Sequence, residues 1–211
     1  MIMKGKTKLE QRSYLCEVRA EGEQDGIITG RPIVYNSLTN IGYFDEIIDS
    51  GALDGADMTD VRFLVNHDIS NIPLARSRRN NGNSTMQLSP DSEGLGIAAD
   101  VDVENNAQAR SLYSAVKRGD VTGMSFMFSV DEERWENLES DHPTRHIVKI
   151  GSIVEVSAVT FPAYDATSIN ARSSETLESA RAALESARAK TASTETEARE
   201  LELLKMKISV L

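Results

Sequence analysis

Residues 123–128 read Gly123-Met124-Ser125-Phe126-Met127-Phe128 (GMSFMF), a hydroxyl set inside a run of bulky apolar side chains. As a strand, the stretch places Phe126 and Phe128 on one face and Ser125, Met127 and Ser129 on the other. The aromatic face belongs in a core. Ser125 is then either a small residue bonded to nearby backbone or a nucleophile mounted on a rigid element. A serine decides nothing alone, so the rest of the chain must supply a base and a group to orient it.

Outward from this stretch the text stays strand-like from about residue 13 to 170. Short β-branched and aromatic runs are punctuated by Gly, Asn, Asp and Pro. The expected strands are Tyr14–Ala20, Gly26–Tyr35, Val61–Asn66, Thr85–Ser89, Gly94–Val101, Met124–Glu132 and His146–Ser157. The turn signal PDSEGL joins the fourth and fifth of these as a hairpin, and ENLESDHPTR joins the last two. One helix is expected here, Ala107–Lys117, with Asn105 or Asn106 as N-cap and Gly119 just past its end. A helical turn is expected near Ala52–Leu53. The class that follows is α+β, mainly β.

From Ser173 the composition changes. SSETLESARAALESARAKTASTETEARELELLKMK lacks Gly, Pro and aromatic residues and favours helix. Leu177 and Leu184 stand one heptad apart, but the next steps fall on Thr191, Ala198 and Lys205, so no sustained coiled coil is predicted. The tail is expected to form a long exposed helix or broken helices, finding a partner through Leu201, Leu203, Leu204, Ile208 and Leu211, or else to be simply solvated. Acidic and basic residues cancel over 171–211, so the net charge of −10 lies in the preceding part. The division predicted is a domain over 1–172 and a helical tail over 173–211.

Bulk composition limits the function. With 211 residues, 40% hydrophobic and 27% charged, the chain reads as one soluble globular domain with an appendage. Its 33 acidic against 23 basic residues argue against a sequence-independent grip on nucleic acid, which needs a basic surface. Cys16 is the single cysteine, so no intramolecular disulfide forms and a reducing compartment suits the chain. The start lacks the apolar run of a signal peptide, and nowhere do 18 apolar residues follow one another. An intracellular protein without a membrane span is expected.

Three histidines make the search for a base short. His142 and His146 lie in SDHPTRH, a polar loop where Pro143 opposes helix and no cysteine completes a metal site. They read as surface histidines, and neither metal nor cofactor is expected. His67 closes the apolar run VRFLV and sits where a strand yields to a loop, a place either for a sheet-edge cap or for a held catalytic base. Glu155 lies inside the apolar strand IGSIVEVSAV. A carboxylate there is costly unless paired, which suits an orienting group, unless that strand edge is exposed. Asp68 and Asp165 are the alternative carboxylates.

At this point the motifs add up. GRPIVYNS, EIIDSGAL, the NHD triplet with His67, PLARS, GLGIAADV, VKRGDV, GMSFMF with Ser125, and IVEVSAVTFPAY occur in an order and spacing that resemble the prohead maturation serine proteases of tailed bacteriophages. The resemblance runs from about Gly30 to Ile169. It implies a β-rich fold similar to herpesvirus assemblin, a β-barrel with a few helices. It also implies Ser125 as nucleophile, His67 as general base and Glu155 as orienting group. Herpesvirus relatives use a second histidine in the third place; this strand has none, so a carboxylate must serve. Oxyanion donors are unassigned, with amides near FPAYDAT or PLARS as candidates.

The resemblance further implies an endopeptidase that acts inside the assembling procapsid in the host cytoplasm. Its implied partners are the major capsid protein with its scaffold segment or a separate scaffold protein, the portal in some members, the protease itself, and a second copy in an oligomer. The competing reading is a non-catalytic scaffolding protein that keeps the fold.

Overall fold

The computed structural model describes residues 2–4, 9–15, 18–21, 26–160 and 174–209. In chain order its first strands are β1 (Ile2–Lys4), β2 (Leu9–Leu15), β3 (Val18–Glu21) and β4 (Ile27–Val34). Then come β5 (Thr39–Asn40), β6 (Asp45–Ile48), β7 (Asp60–Val65) and β8 (Ala75–Arg78). They are followed by β9 (Met86–Asp91), β10 (Gly94–Asp100), helix α1 (Ala107–Arg118), β11 (Gly123–Glu136), β12 (Thr144–Val159) and helix α2 (Ser174–Ser209).

The centre is the antiparallel hairpin β11–β12, which contains GMSFMF. Met124, Phe126, Phe128 and Val130 alternate into the core from β11, and Ile153, Val156 and Ala158 join them from β12. That burial drives the hairpin together. β1 and β2 pair along the free side of β11, while β6 and β7 pair in parallel with β12. β5 extends β6 and β8 extends β7, which completes an eight-stranded sheet. The second sheet runs β3–β4–β10–β9, and its inner residues Ile28, Ile33, Leu95 and Ile97 close the same core. Among the described residues the strands form two open sheets rather than a closed barrel; the mainly β, α+β class holds.

The long hairpin shifts register at four places. Each shift inserts an unpaired residue and adds twist. At one of them Gly151 is the extra residue. A Cβ there would stand 2.3 Å from the Asp131 carboxylate and 2.8 Å from Ser129 Oγ, so a side chain at this position would require both neighbours to shift.

Helix α1 forms as its caps predict. Asn106 Oδ1 accepts from the amides of Gln108 and Ala109, and Gly119 takes the left-handed conformation at φ 79°. Its face of Ala109, Leu112, Tyr113 and Val116 packs on the core. The residues near Ala52 form successive tight turns, with Ala52, Asp54 and Ala56 amides each bonded three residues back.

Two differences from the sequence reading stand out. The expected strand Tyr14–Ala20 is two strands in two sheets, β2 beside β11 and β3 beside β4. Local propensity is continuous there and does not show where the chain changes sheets. Buried charges also went unseen. Arg12 and Arg145, 1% and 2% exposed, are locked between Glu10, Glu46 and Glu133. In sequence they resemble ordinary surface charges, because their partners lie on other strands.

Helix α2 runs without interruption through the tail. Its early turns dock: Ala180, Leu184 and Ala187 bury against Ile41, Phe44 and Trp135. Phe44 and Trp135 meet edge to face at 4.9 Å. Arg188 donates to the carbonyls of Leu138 and Ser140 at 3.1 and 2.7 Å. Leu201, Leu203 and Met206 further along are exposed. The side chains of Leu204 and Ile208, and all of Ser173 and Leu211, lie outside the described residues.

Candidate active site

Strand register assembles the site on the face of β11 opposite to Phe126. Ser125 stands across from Ser13 of β2 and Ser157 of β12, and Ser157 stands across from Leu64 of β7. The next row on that face is Gln11, Met127, Glu155 and Arg62. Nucleophile candidate and carboxylate therefore sit on neighbouring strands, one row apart.

His67 reaches both rows because the chain turns sharply after β7. Asn66 and His67 adopt left-handed backbone at φ 51° and 59°. Such a conformation is unfavourable for non-glycine residues and persists only where surrounding structure enforces it. Here the Asn66 amide donates to Ala158 O at 3.0 Å, Asn66 Oδ1 accepts from the Thr160 amide at 3.0 Å, and the His67 amide donates to Ser157 Oγ at 3.1 Å.

The result is a continuous hydrogen-bonded chain. His67 Nε2 lies 2.5 Å from Ser125 Oγ, and His67 Nδ1 bonds Glu155 Oε1. The second carboxylate oxygen, Oε2, accepts from Ser157 Oγ at 2.7 Å. Glu155 is 3% exposed, so these partners rather than water satisfy its oxygens. With the proton on Nδ1 directed at the carboxylate, Nε2 is the free acceptor facing the serine hydroxyl. Ser125 is fully buried. Its hydroxyl donates to Arg12 O at 2.7 Å as an alternative to Nε2, and Ser13 Oγ donates to it at 2.9 Å.

The structure thus brings Ser125, His67 and Glu155, well separated in sequence, into one contact chain. Such a set can draw a proton from a hydroxyl, hold it on an imidazole, and stabilise the resulting imidazolium. Asp68 does not take part. Its carboxylate accepts from the Ser70 and Asn71 side chains and the Ser70 amide, and the Ser70 bonds hold it below the usual carboxylate range. Asp165 and FPAYDAT lie outside the described residues. In PLARS the Leu74 and Arg76 amides already bond Phe63 O and Thr85 Oγ1, both at 2.9 Å. His142 bonds Asp45 and His146 bonds Asp49, away from this face. Among the described residues no cluster of His, Cys, Asp and Glu suits a metal ion, and no helix is long and apolar enough to cross a membrane.

Sequence reasoning missed Ser13 and Ser157. The spacing of two between Glu155 and Ser157 carries a signal, since both then face the same side of a strand. Ser13 has none, because only the β2–β11 register puts it beside Ser125.

A family model described as caudovirus prohead serine protease matches residues 15–181. No curated protein matches the chain, and no solved structure does.

Proposed function

The chain belongs to the caudovirus prohead serine protease family, and on that premise we propose that Ser125, His67 and Glu155 are the catalytic triad of an endopeptidase. The observation that carries this reading is the contact chain from Ser125 Oγ through His67 to Glu155, with its 2.5 Å link at the serine.

The mechanism follows from that geometry. His67 Nε2 takes the hydroxyl proton as Ser125 Oγ attacks a peptide carbonyl carbon. The imidazolium then gives the proton to the leaving amine, and the peptide bond breaks to leave an acyl-enzyme. Water, deprotonated by the same nitrogen, releases the acid and restores Ser125. Glu155 keeps the Nδ1–H tautomer and stabilises the imidazolium. Ser125 is enclosed by Ser13, Arg12 O and His67, so a peptide carbonyl reaches Oγ only as those neighbours yield.

The substrates on this reading are proteins of the assembling head: the capsid protein's scaffold segment or a separate scaffold protein, the portal in some cases, and the protease itself. Cleavage takes place inside the procapsid in the host cytoplasm. The exposed part of α2, with Leu201 and Leu203 uncovered, suits a segment that delivers the enzyme to the shell and is later clipped. Removal of residues 192–211 should then abolish packaging into procapsids; unchanged packaging would refute the delivery role.

Intact-mass spectrometry over time, wild type beside Ser125→Ala, tests the catalytic reading. Defined shortening in the wild type alone, or cleavage of added scaffold or capsid protein by the wild type alone, is expected. If neither chain cuts, a scaffolding role without catalysis replaces it.

A further inference from the structure

On the same face of the large sheet as Ser125 lies a cleft of about 320 Å³ with an apolar wall of Leu64, Ile69, Pro73, Met127 and Val154. A bulge creates part of that wall. Met127 pairs with Glu155 but Phe128 pairs with Ile153, so Val154 is an extra residue on β12. Bulges re-aim side chains beside functional sites, and here Val154 joins Glu155 in lining the cleft.

The outer lip is the loop that follows His67. Asp68 holds that loop by accepting from the Ser70 amide at 3.0 Å and from Asn71 Nδ2 at 2.5 Å. The loop presents Ile69 and Ile72 to solvent, each 81% exposed. Ile69 lines the cleft, so an aliphatic side chain seated there would cover part of this exposed apolar lip.

The carboxylate lining the cleft is already engaged. Glu155 bonds His67 through Oε1 and Ser157 through Oε2. Arg62 Nη2 donates to Asp60 at 3.1 Å, and Asn71 donates to Asp68. A basic side chain entering here would lose hydration without gaining a partner, because the one carboxylate lining the cleft is committed to His67 and Ser157. An aliphatic one would gain contact with five apolar residues.

We propose that this cleft is the subsite that receives one aliphatic side chain, Leu, Ile, Val or Met, of the substrate peptide. Met127 lies two residues along β11 from Ser125, about 7 Å at strand rise. An extended peptide has the same rise, so the recognised residue stands within about three positions of the scissile bond. The inference rests on Ser125 being the nucleophile.

The test uses a peptide library prepared from a bacterial proteome by cleavage after lysine, with cut sites read by mass spectrometry. Wild type, Ile69→Asp and Val154→Phe are compared, and wild-type Ser125 is probed in parallel with a fluorophosphonate. Wild-type cuts should be enriched for aliphatic residues at one position within three of the bond. Ile69→Asp, a change at an exposed site that leaves the core intact, should cut those peptides at least about tenfold more slowly. Val154→Phe, which narrows the cleft, should shift the preference toward Ala and Gly. Fluorophosphonate labelling with no aliphatic enrichment, or with the same enrichment in Ile69→Asp, would overturn the subsite while leaving the catalytic reading intact. Absence of both labelling and cutting would overturn the catalytic reading, and the subsite with it.

Discussion

Ser157 ties His67 to Glu155 from beneath: its hydroxyl accepts the His67 backbone N–H at 3.1 Å and donates to Glu155 Oε2 at 2.7 Å. One side chain thus holds both the left-handed turn that carries the imidazole and the carboxylate that orients it. Ser157→Ala should lower kcat about tenfold, roughly 1.4 kcal/mol, with KM within about twofold. Ser157→Thr keeps the hydroxyl and should recover most of the loss. A purely structural residue would instead lower Tm and leave kcat per folded molecule unchanged.

Glu155→Gln tests the tautomer argument. An amide nitrogen facing Nδ1 favours the wrong tautomer while preserving shape. Cleavage should slow on the order of 10⁴-fold, the scale seen when the acid of a serine-protease triad becomes an amide. Circular dichroism should be unchanged. A loss under tenfold would remove Glu155 from the proposed triad.

The buried charges make a prediction about stability. Arg12→Met leaves Glu46, which is wholly buried, without the guanidinium that bonds both its oxygens at 2.6 and 2.9 Å. Removing one partner of a buried pair costs about 3–5 kcal/mol. Urea unfolding of the variant should show a loss in that range. A change under 1 kcal/mol would mean that Arg145 alone neutralises the cluster.

Glu10 gives that cluster a pH signature. Burial alone would raise its carboxyl, but Arg145 and Arg12 more than offset this and lower it from 4.5 to about 2. Because the folded value lies below the unfolded one, unfolding takes up a proton in acid. The stabilisation is therefore complete above about pH 4.5, fades as pH falls toward about 2, and is absent below. Glu10→Gln should flatten the stability curve across that window. Parallel curves for wild type and variant would assign the acid sensitivity elsewhere.

Helix α2 should show two regimes. Leu184, 7% exposed in the cluster with Phe44 and Trp135, should cost about 2 kcal/mol or more as Leu184→Ala. Leu201→Ala and Leu203→Ala, at positions 52% and 58% exposed, should stay within about 0.5 kcal/mol. Thermal unfolding of the three variants separates the docked turns from the free ones.

Much of the fold was legible because its signals are local. The GMSFMF alternation, the PDSEGL turn, the Asn106 and Gly119 caps and the helical tail all act within a few residues of themselves. β6 and β8 escaped notice because DEII and ARSR are too short to show a period. His67 and Glu155 could be singled out because each contrasts with its own strand: one closes an apolar run, and the other interrupts one.

By itself, then, the chain determined which segments form strands and helices, and which residues were worth suspecting of chemistry. Only the tertiary structure decided how they meet. Ser125 contacts Ser13, His67 and the Arg12 carbonyl across separations of 112, 58 and 113 residues. Alternation tells a side chain which face it occupies, but not which residue of another strand lies beside it. That choice belongs to inter-strand register, to the bulge at Val154 and to the left-handed turn at Asn66–His67. All three are set by packing between strands, which no local pattern encodes.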